Sequence, residues 1–139
     1  MADYKMSVST DADEDSAVDP SGFSIRHHRS GSARLEMSLP TGGHFLHAAV
    51  GMCIFNDALA LAKERNIEID RLHVTVDGGF AGDPYYTSTG IIYNIEIESP
   101  ADRGTIDRLI ADVIDDASIP RSIQQGTPVT LGKVNYNHT

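Results

Sequence analysis

The stretch from Gly42 to Arg65 constrains this chain more than any other. It reads Gly-Gly-His-Phe-Leu-His-Ala-Ala-Val-Gly-Met-Cys-Ile-Phe-Asn-Asp-Ala-Leu-Ala-Leu-Ala-Lys-Glu-Arg and contains the only cysteine, Cys53. A Gly-Gly turn opens it, and Lys63, Glu64 and Arg65 close it. From Phe45 to Ala62 the apolar residues fall almost all the way round a helix. A helix of that kind has to be covered on every side. A chain of 139 residues has little left to cover it with, so a second copy of the chain is expected to supply the rest. The thiol at its centre is then either an inert packing residue or a reaction centre.

Composition narrows the classes. The length suits a single domain over residues 1–139, with a real but modest core. The formal charge of −9 argues against a nucleic-acid partner, which needs clustered lysine and arginine, and against an anionic membrane surface. One cysteine cannot form an intramolecular disulfide. Met1 to Thr10 lacks the apolar core of a signal peptide. The central segment approaches the length of a membrane span, but His47, Asn56 and Asp57 within it favour a soluble buried helix. A cytoplasmic location follows as an expectation, and it would keep the thiol reduced. His44 and His47 are three residues apart without a third ligand nearby, so no metal site is expected. No cofactor is implied.

Along the chain, Tyr4 to Ser9 alternates weakly as a first strand. Residues 10–22 carry Asp11, Asp13, Glu14, Asp15 and Asp19 and read as an acidic flexible loop. Phe23 to His28 and Ala33 to Leu39 are further strands, the latter with Leu35, Met37 and Leu39 on one face. Gly51, inside the central helix, is expected to permit close packing or a bend. Leu72, Val74 and Val76, then Ile91, Tyr93, Ile95 and Ile97, alternate as two half-buried antiparallel strands. Ser99-Pro100-Ala101-Asp102 has the form of a helix start, with Ser99 as cap. Ile106, Leu109, Ile110, Val113, Ile114 and Ala117 then form one helical stripe. Pro120 marks a short turn, and Thr127 to Tyr136 is the last strand. Helices and strands do not alternate regularly, so the fold class is α+β, an antiparallel sheet with a buried central helix.

This order and these residues resemble the OsmC/Ohr superfamily of thiol-dependent hydroperoxide reductases. The resemblance runs from about Ala33 to Val134. It rests on Leu35-Glu36-Met37-Ser38-Leu39-Pro40 leading to Gly42-Gly43, on Ala48-Ala49-Val50-Gly51-Met52-Cys53, and on Ala62-Lys63-Glu64-Arg65-Asn66-Ile67-Glu68-Ile69 before the next strand. It implies an intertwined homodimer with sites at the subunit interface, and Cys53 in the place of the peroxide-reacting cysteine. It also shows departures. The family's glutamate near the helix start corresponds to Gly43 and His44. The second, resolving cysteine corresponds to Ile119, before Pro120. The family's arginine lies between the first two strands, where residues 10–22 hold none; Arg26 and Arg29 follow.

Two functions are consistent with this pattern, beside a purely structural dimer with neither chemistry nor ligand. One is a single-cysteine site related to hydroperoxide reduction and the peroxide stress response, in which Cys53 becomes a sulfenic acid that an external thiol reduces. The other is a non-catalytic homodimer holding a small apolar ligand in the interface pocket. In both, His44, His47, Asp57, Arg26 and Arg29 are the candidate binding residues. A thiolate requires a cation, a donor or a helix N-terminus, and Cys53 is too deep in its helix for the last. Asp57, one turn on, shares its face and would raise the thiol pKa. Removing that charge should speed alkylation of Cys53. Arg26, His27, His28 and Arg29 read as a solvated strand edge, and Tyr85 and Tyr86 as turn residues.

Overall fold

The computed structural model describes residues 4–10, 23–31, 33–82 and 87–139, with side chains for all of these but 23–25. The acidic segment 11–22 and the pair Tyr85 and Tyr86 lie outside the described residues. The elements are β1 (Met6–Ser9), β2 (Phe23–Ile25), β3 (Ala33–Met37), α1 (Gly42–Glu64), β4 (Arg71–Ala81), β5 (Thr87–Ser99), α2 (Arg103–Asp116), α3 (Ser118–Ile123) and β6 (Val129–His138). They form one six-stranded sheet in the order β2-β3-β1-β4-β5-β6, with α1 packed against β1 and β4 and flanked by α2 and α3.

Period-two alternation becomes rows of side chains because the register aligns it. One row crosses the sheet through Met37, Met6, Val76, Tyr93 and Leu131. The next runs through Leu35, Val8, Val74, Ile95 and Val134. In these rows the β1, β3, β4 and β5 members are buried and form the floor under α1.

The sheet is mixed rather than wholly antiparallel. Four pairings are antiparallel, and β6 runs parallel to β5. A tight hairpin forces the antiparallel sense, but the chain from β5 to β6 passes through α2 and α3. A helical crossover of that length returns the next strand in the parallel sense. The same logic separates β3 from β4: α1 carries the chain across, and β1 inserts between them.

α1 is continuous. Thr41 caps its start by accepting the His44 N–H at 3.3 Å. Its end is a left-handed turn at Asn66 (φ 55°), with the Ile67 N–H reaching back to the Ala62 carbonyl. Gly51 therefore marks close approach, not a bend: a Cβ there would lie 2.9 Å from both Met6 Sδ and a Val76 methyl. The cap of α2 is Asp102, three residues later than the sequence pattern indicates, and it accepts the Thr105 N–H at 2.8 Å. Ser99 is engaged elsewhere: its hydroxyl donates to the Glu68 carbonyl and accepts the Ala101 N–H.

α1 is long and apolar enough to cross a membrane, yet it packs on the sheet and on α2 and α3, so its apolar surface belongs to the core. That core does not close around it. His47, Ala48, Val50, Gly51, Ile54, Phe55 and Ala58 are buried. Phe45 is 51% exposed, Ala49 is exposed, and Met52, Cys53, Asn56 and Ala60 are half-buried. Spaced at helical intervals, these last six residues make one open stripe.

A close approach beside the start of α1 is testable. His47 is fully buried, and a Cβ on Gly78 would sit 2.5 Å from both His47 Nε2 and the Gly90 carbonyl oxygen. The Gly90 oxygen is backbone and cannot move aside. Gly78→Ala should therefore cost about 1–3 kcal/mol of stability, read as a lower urea midpoint at unchanged slope.

Candidate functional site

Cys53 lies on the open stripe of α1, more than two turns inside the helix, and is half-buried. Its thiol donates to Asp57 Oδ2 at 3.7 Å, one turn further on. Asp57 Oδ1 accepts from Asn56 Nδ2 at 3.1 Å. Asn56 Oδ1 in turn accepts from Arg29 Nε at 3.1 Å. A chain of hydrogen bonds thus runs from a guanidinium on the turn after β2, through an amide and a carboxylate on α1, to the thiol. The backbone N–H groups of Ile119 and Ser118, at the start of α3, also act on the sulfur.

These contacts act on the thiol in opposite senses. Burial pushes its pKa up from the ordinary value, the Ile119 N–H opposes this, the Asp57 charge and hydrogen bond add to the rise, and the Ser118 N–H opposes it weakly. The balance is upward, so the resting group is a thiol. Among the described residues, no guanidinium bonds the sulfur directly.

The sequence candidates separate into two groups. Cys53, Asp57 and Arg29 come together with Asn56. Arg26 is exposed and is not among the groups bonded to Cys53, Asn56 or Asp57. His44 and His47 lie near the start of α1, away from the thiol. Both ring nitrogens of His44 are engaged, Nε2 with Ser38 Oγ at 2.9 Å and Nδ1 with Thr41 Oγ1 at 2.5 Å. His47 Nδ1 donates to the Gly43 carbonyl at 2.6 Å, its ring stacks on Tyr4, and Nε2 has no partner among the described residues. Both histidines thus anchor the helix start.

Two features escape the sequence reading. His27 is not part of a solvated edge: it is buried, edge-on to the Phe55 ring at 5.2 Å, and its Nδ1 accepts the Arg29 N–H. This packing sets the turn that carries Arg29 over Asn56. The Ile119 and Ser118 N–H groups are the second, since every residue but proline supplies a backbone donor and residue identity does not mark them. Their position puts residue 119 beside Cys53 in space.

His27 and His44 give the stability a pH dependence. Burial lowers both pKa values below 6.5, with His28 and Arg29 adding to the effect on His27, and His47 to that on His44. The unfolded chain then takes up protons near pH 6.5 that the folded chain does not. Stability falls as pH drops below about 6.5 and goes on falling until the lower folded values are passed. Each histidine contributes at most about 1.4 kcal/mol per pH unit in that window. Urea midpoints at pH 7.5 and 5.5 should differ less in His27→Gln than in the unaltered chain; an equal difference would remove His27 from the account.

Comparison with known proteins gives the class of this fold and site. The family described as OsmC-like protein matches residues 35–132, well over half of the chain, and the protein belongs to that family. No curated protein matches it in sequence. Among solved structures, it is similar to an OsmC-like protein from Mycoplasma pneumoniae, with a TM-score of 0.62 at 18% identity, over 84% of this chain and 96% of that one. It is similar to an organic hydroperoxide resistance protein OsmC from Legionella pneumophila, with a TM-score of 0.56 at 14% identity, over 82% and 96%. It is also similar to the organic hydroperoxide resistance protein OhrB of Bacillus subtilis, with a TM-score of 0.52 at 18% identity, over 68% and 67%. At these identities the likeness is one of fold.

Proposed function

We propose that this protein is a cytoplasmic homodimer that reduces organic hydroperoxides with one cysteine, Cys53, and an external thiol as reductant. The observation that carries the reading is the placement of the sulfur. It lies on an uncovered apolar stripe, with a carboxylate acceptor and backbone N–H donors as its polar neighbours. Such a setting gives an apolar peroxide a surface to rest on and gives the thiol proton an acceptor. Membership of the OsmC-like family and the fold shared with organic hydroperoxide resistance proteins support it.

With Ile119 beside Cys53, no second thiol is there to resolve a sulfenic acid. The oxidised cysteine would persist until a thiol from solution attacked it. Mass spectrometry after mild treatment with an organic hydroperoxide should show one added oxygen on Cys53, or a mixed disulfide when thiol is present.

The raised thiol pKa, and the lack of a guanidinium on the sulfur among the described residues, favour a second reading, a silent dimer that holds a small apolar ligand at the same interface. Unchanged mass, together with a thiol inert to alkylation, would select it.

A further inference from the structure

We infer that Asp57 is the proton relay for Cys53, accepting the thiol proton and delivering it to the leaving group, and that Asn56 and Arg29 hold it in place. The inference rests on the hydroperoxide reading above and assigns the proton path within that site.

The directions of the hydrogen bonds are mutually consistent. Arg29 Nε can only donate, so the Asn56 oxygen must face it. The Asn56 amide nitrogen then faces Asp57 Oδ1 and occupies it. Oδ2 is left to the thiol. The carboxylate is therefore fixed by a neutral amide whose own orientation is set by a cation, and one defined oxygen is turned to the sulfur. Glu64 and Asp116 share with Asp57 the 240 Å³ cleft between α1 and α2. On the α3 side the sulfur meets the Ser118 and Ile119 N–H groups. Of the neighbouring groups named here, Asp57 is the one that accepts the thiol proton.

The step balances as follows. As Sγ attacks the terminal oxygen of R–O–O–H, the thiol proton passes to Asp57 Oδ2. The S–O bond forms, the O–O bond breaks, and two electrons from sulfur reduce the peroxide. The proton on Asp57 then neutralises the departing RO⁻ to ROH and leaves Cys53 as the sulfenic acid. One external thiol converts this to a mixed disulfide with loss of water, and a second releases Cys53 and the external disulfide.

A relay and a bare charge make opposite predictions for Asp57→Asn. Both remove a negative charge beside the sulfur, which favours the thiolate and speeds alkylation by iodoacetamide. Only a relay is also needed for the leaving alkoxide. With cumene hydroperoxide and the full chain, Asp57→Asn should lose at least about a hundredfold in the rate of Cys53 oxidation, while its alkylation at pH 7 becomes faster. Asn56→Ala, which leaves the carboxylate but frees it, should move the acidic limb of the peroxide pH–rate profile upward. Arg29→Lys should preserve the rate better than Arg29→Ala.

Peroxide and alkylation rates rising together in Asp57→Asn would overturn the relay and leave the hydroperoxide reading standing. A pH profile unmoved in Asn56→Ala would remove Asn56 and Arg29 from it. An unaltered chain whose Cys53 gains no oxygen would overturn that reading, and the relay with it.

Discussion

On the hydroperoxide reading, replacing Cys53 with serine should remove organic hydroperoxide consumption while the fold persists. A serine hydroxyl is held at the same place but is far less acidic and a much weaker nucleophile toward an O–O bond. Loss of a nucleophile in a concerted site commonly costs several orders of magnitude, and the chain has no second thiol to substitute. A fall of at least about a thousandfold is expected. Cys53 is half-buried at the margin of the core, so the stability read from urea unfolding should change by less than about 1 kcal/mol. Peroxide loss measured against added thiol, for both proteins, decides the matter. Equal consumption by the two would assign the activity elsewhere and leave Cys53 as a packing residue.

The second large effect concerns assembly. The unaltered chain should sediment as a dimer at micromolar concentration, and Ala49→Glu should not. Phe45, Ala49, Met52, Cys53, Asn56 and Ala60 form the open stripe, and Ile119, 40% exposed, adjoins it at Cys53. A two-fold interface places each residue in both halves, so one substitution enters twice. An unpaired carboxylate in an apolar contact costs several kcal/mol. About 4 kcal/mol corresponds to nearly a thousandfold in Kd. A stable folded monomer of the unaltered chain at micromolar concentration would refute the dimer, and with it any site that needs two copies.

Much of the fold was legible along the chain. Alternation at Leu72, Val74 and Val76 and at Ile91, Tyr93, Ile95 and Ile97 marked β4 and β5, because a strand with one buried face repeats every two residues. Ile106, Leu109, Ile110 and Val113 marked α2 in the same way, at the period of a helix. The parallel sense of β6 was not legible, since alternation shows which face a strand buries and not which way it runs. The cap at Asp102 was misread as Ser99. Both residues can cap, and the choice fell to the Glu68 carbonyl, which engages the Ser99 hydroxyl from more than thirty residues away.

The site divides along the same line. Cys53 and Asp57 were linked from the sequence because four residues on one helix are neighbours by geometry alone. Asn56 stands out as a polar group in an apolar helix, but its partner, Arg29, sits twenty-seven residues earlier on another element. Nothing in residue spacing fixes such a distance. His27 reads as solvated in the run Arg-His-His-Arg, and it is buried because Phe55 offers its ring there.

By itself, then, the sequence determined the helix, the strands, the family and the single thiol, all of which follow from local periodicity and residue identity. Only the tertiary structure decided which cation holds the Asn56 amide that binds Asp57, which backbone donors act on the sulfur and which side of α1 stays open. Those outcomes depend on where the sheet and α3 place distant segments, and long-range packing is not encoded in the spacing of neighbours.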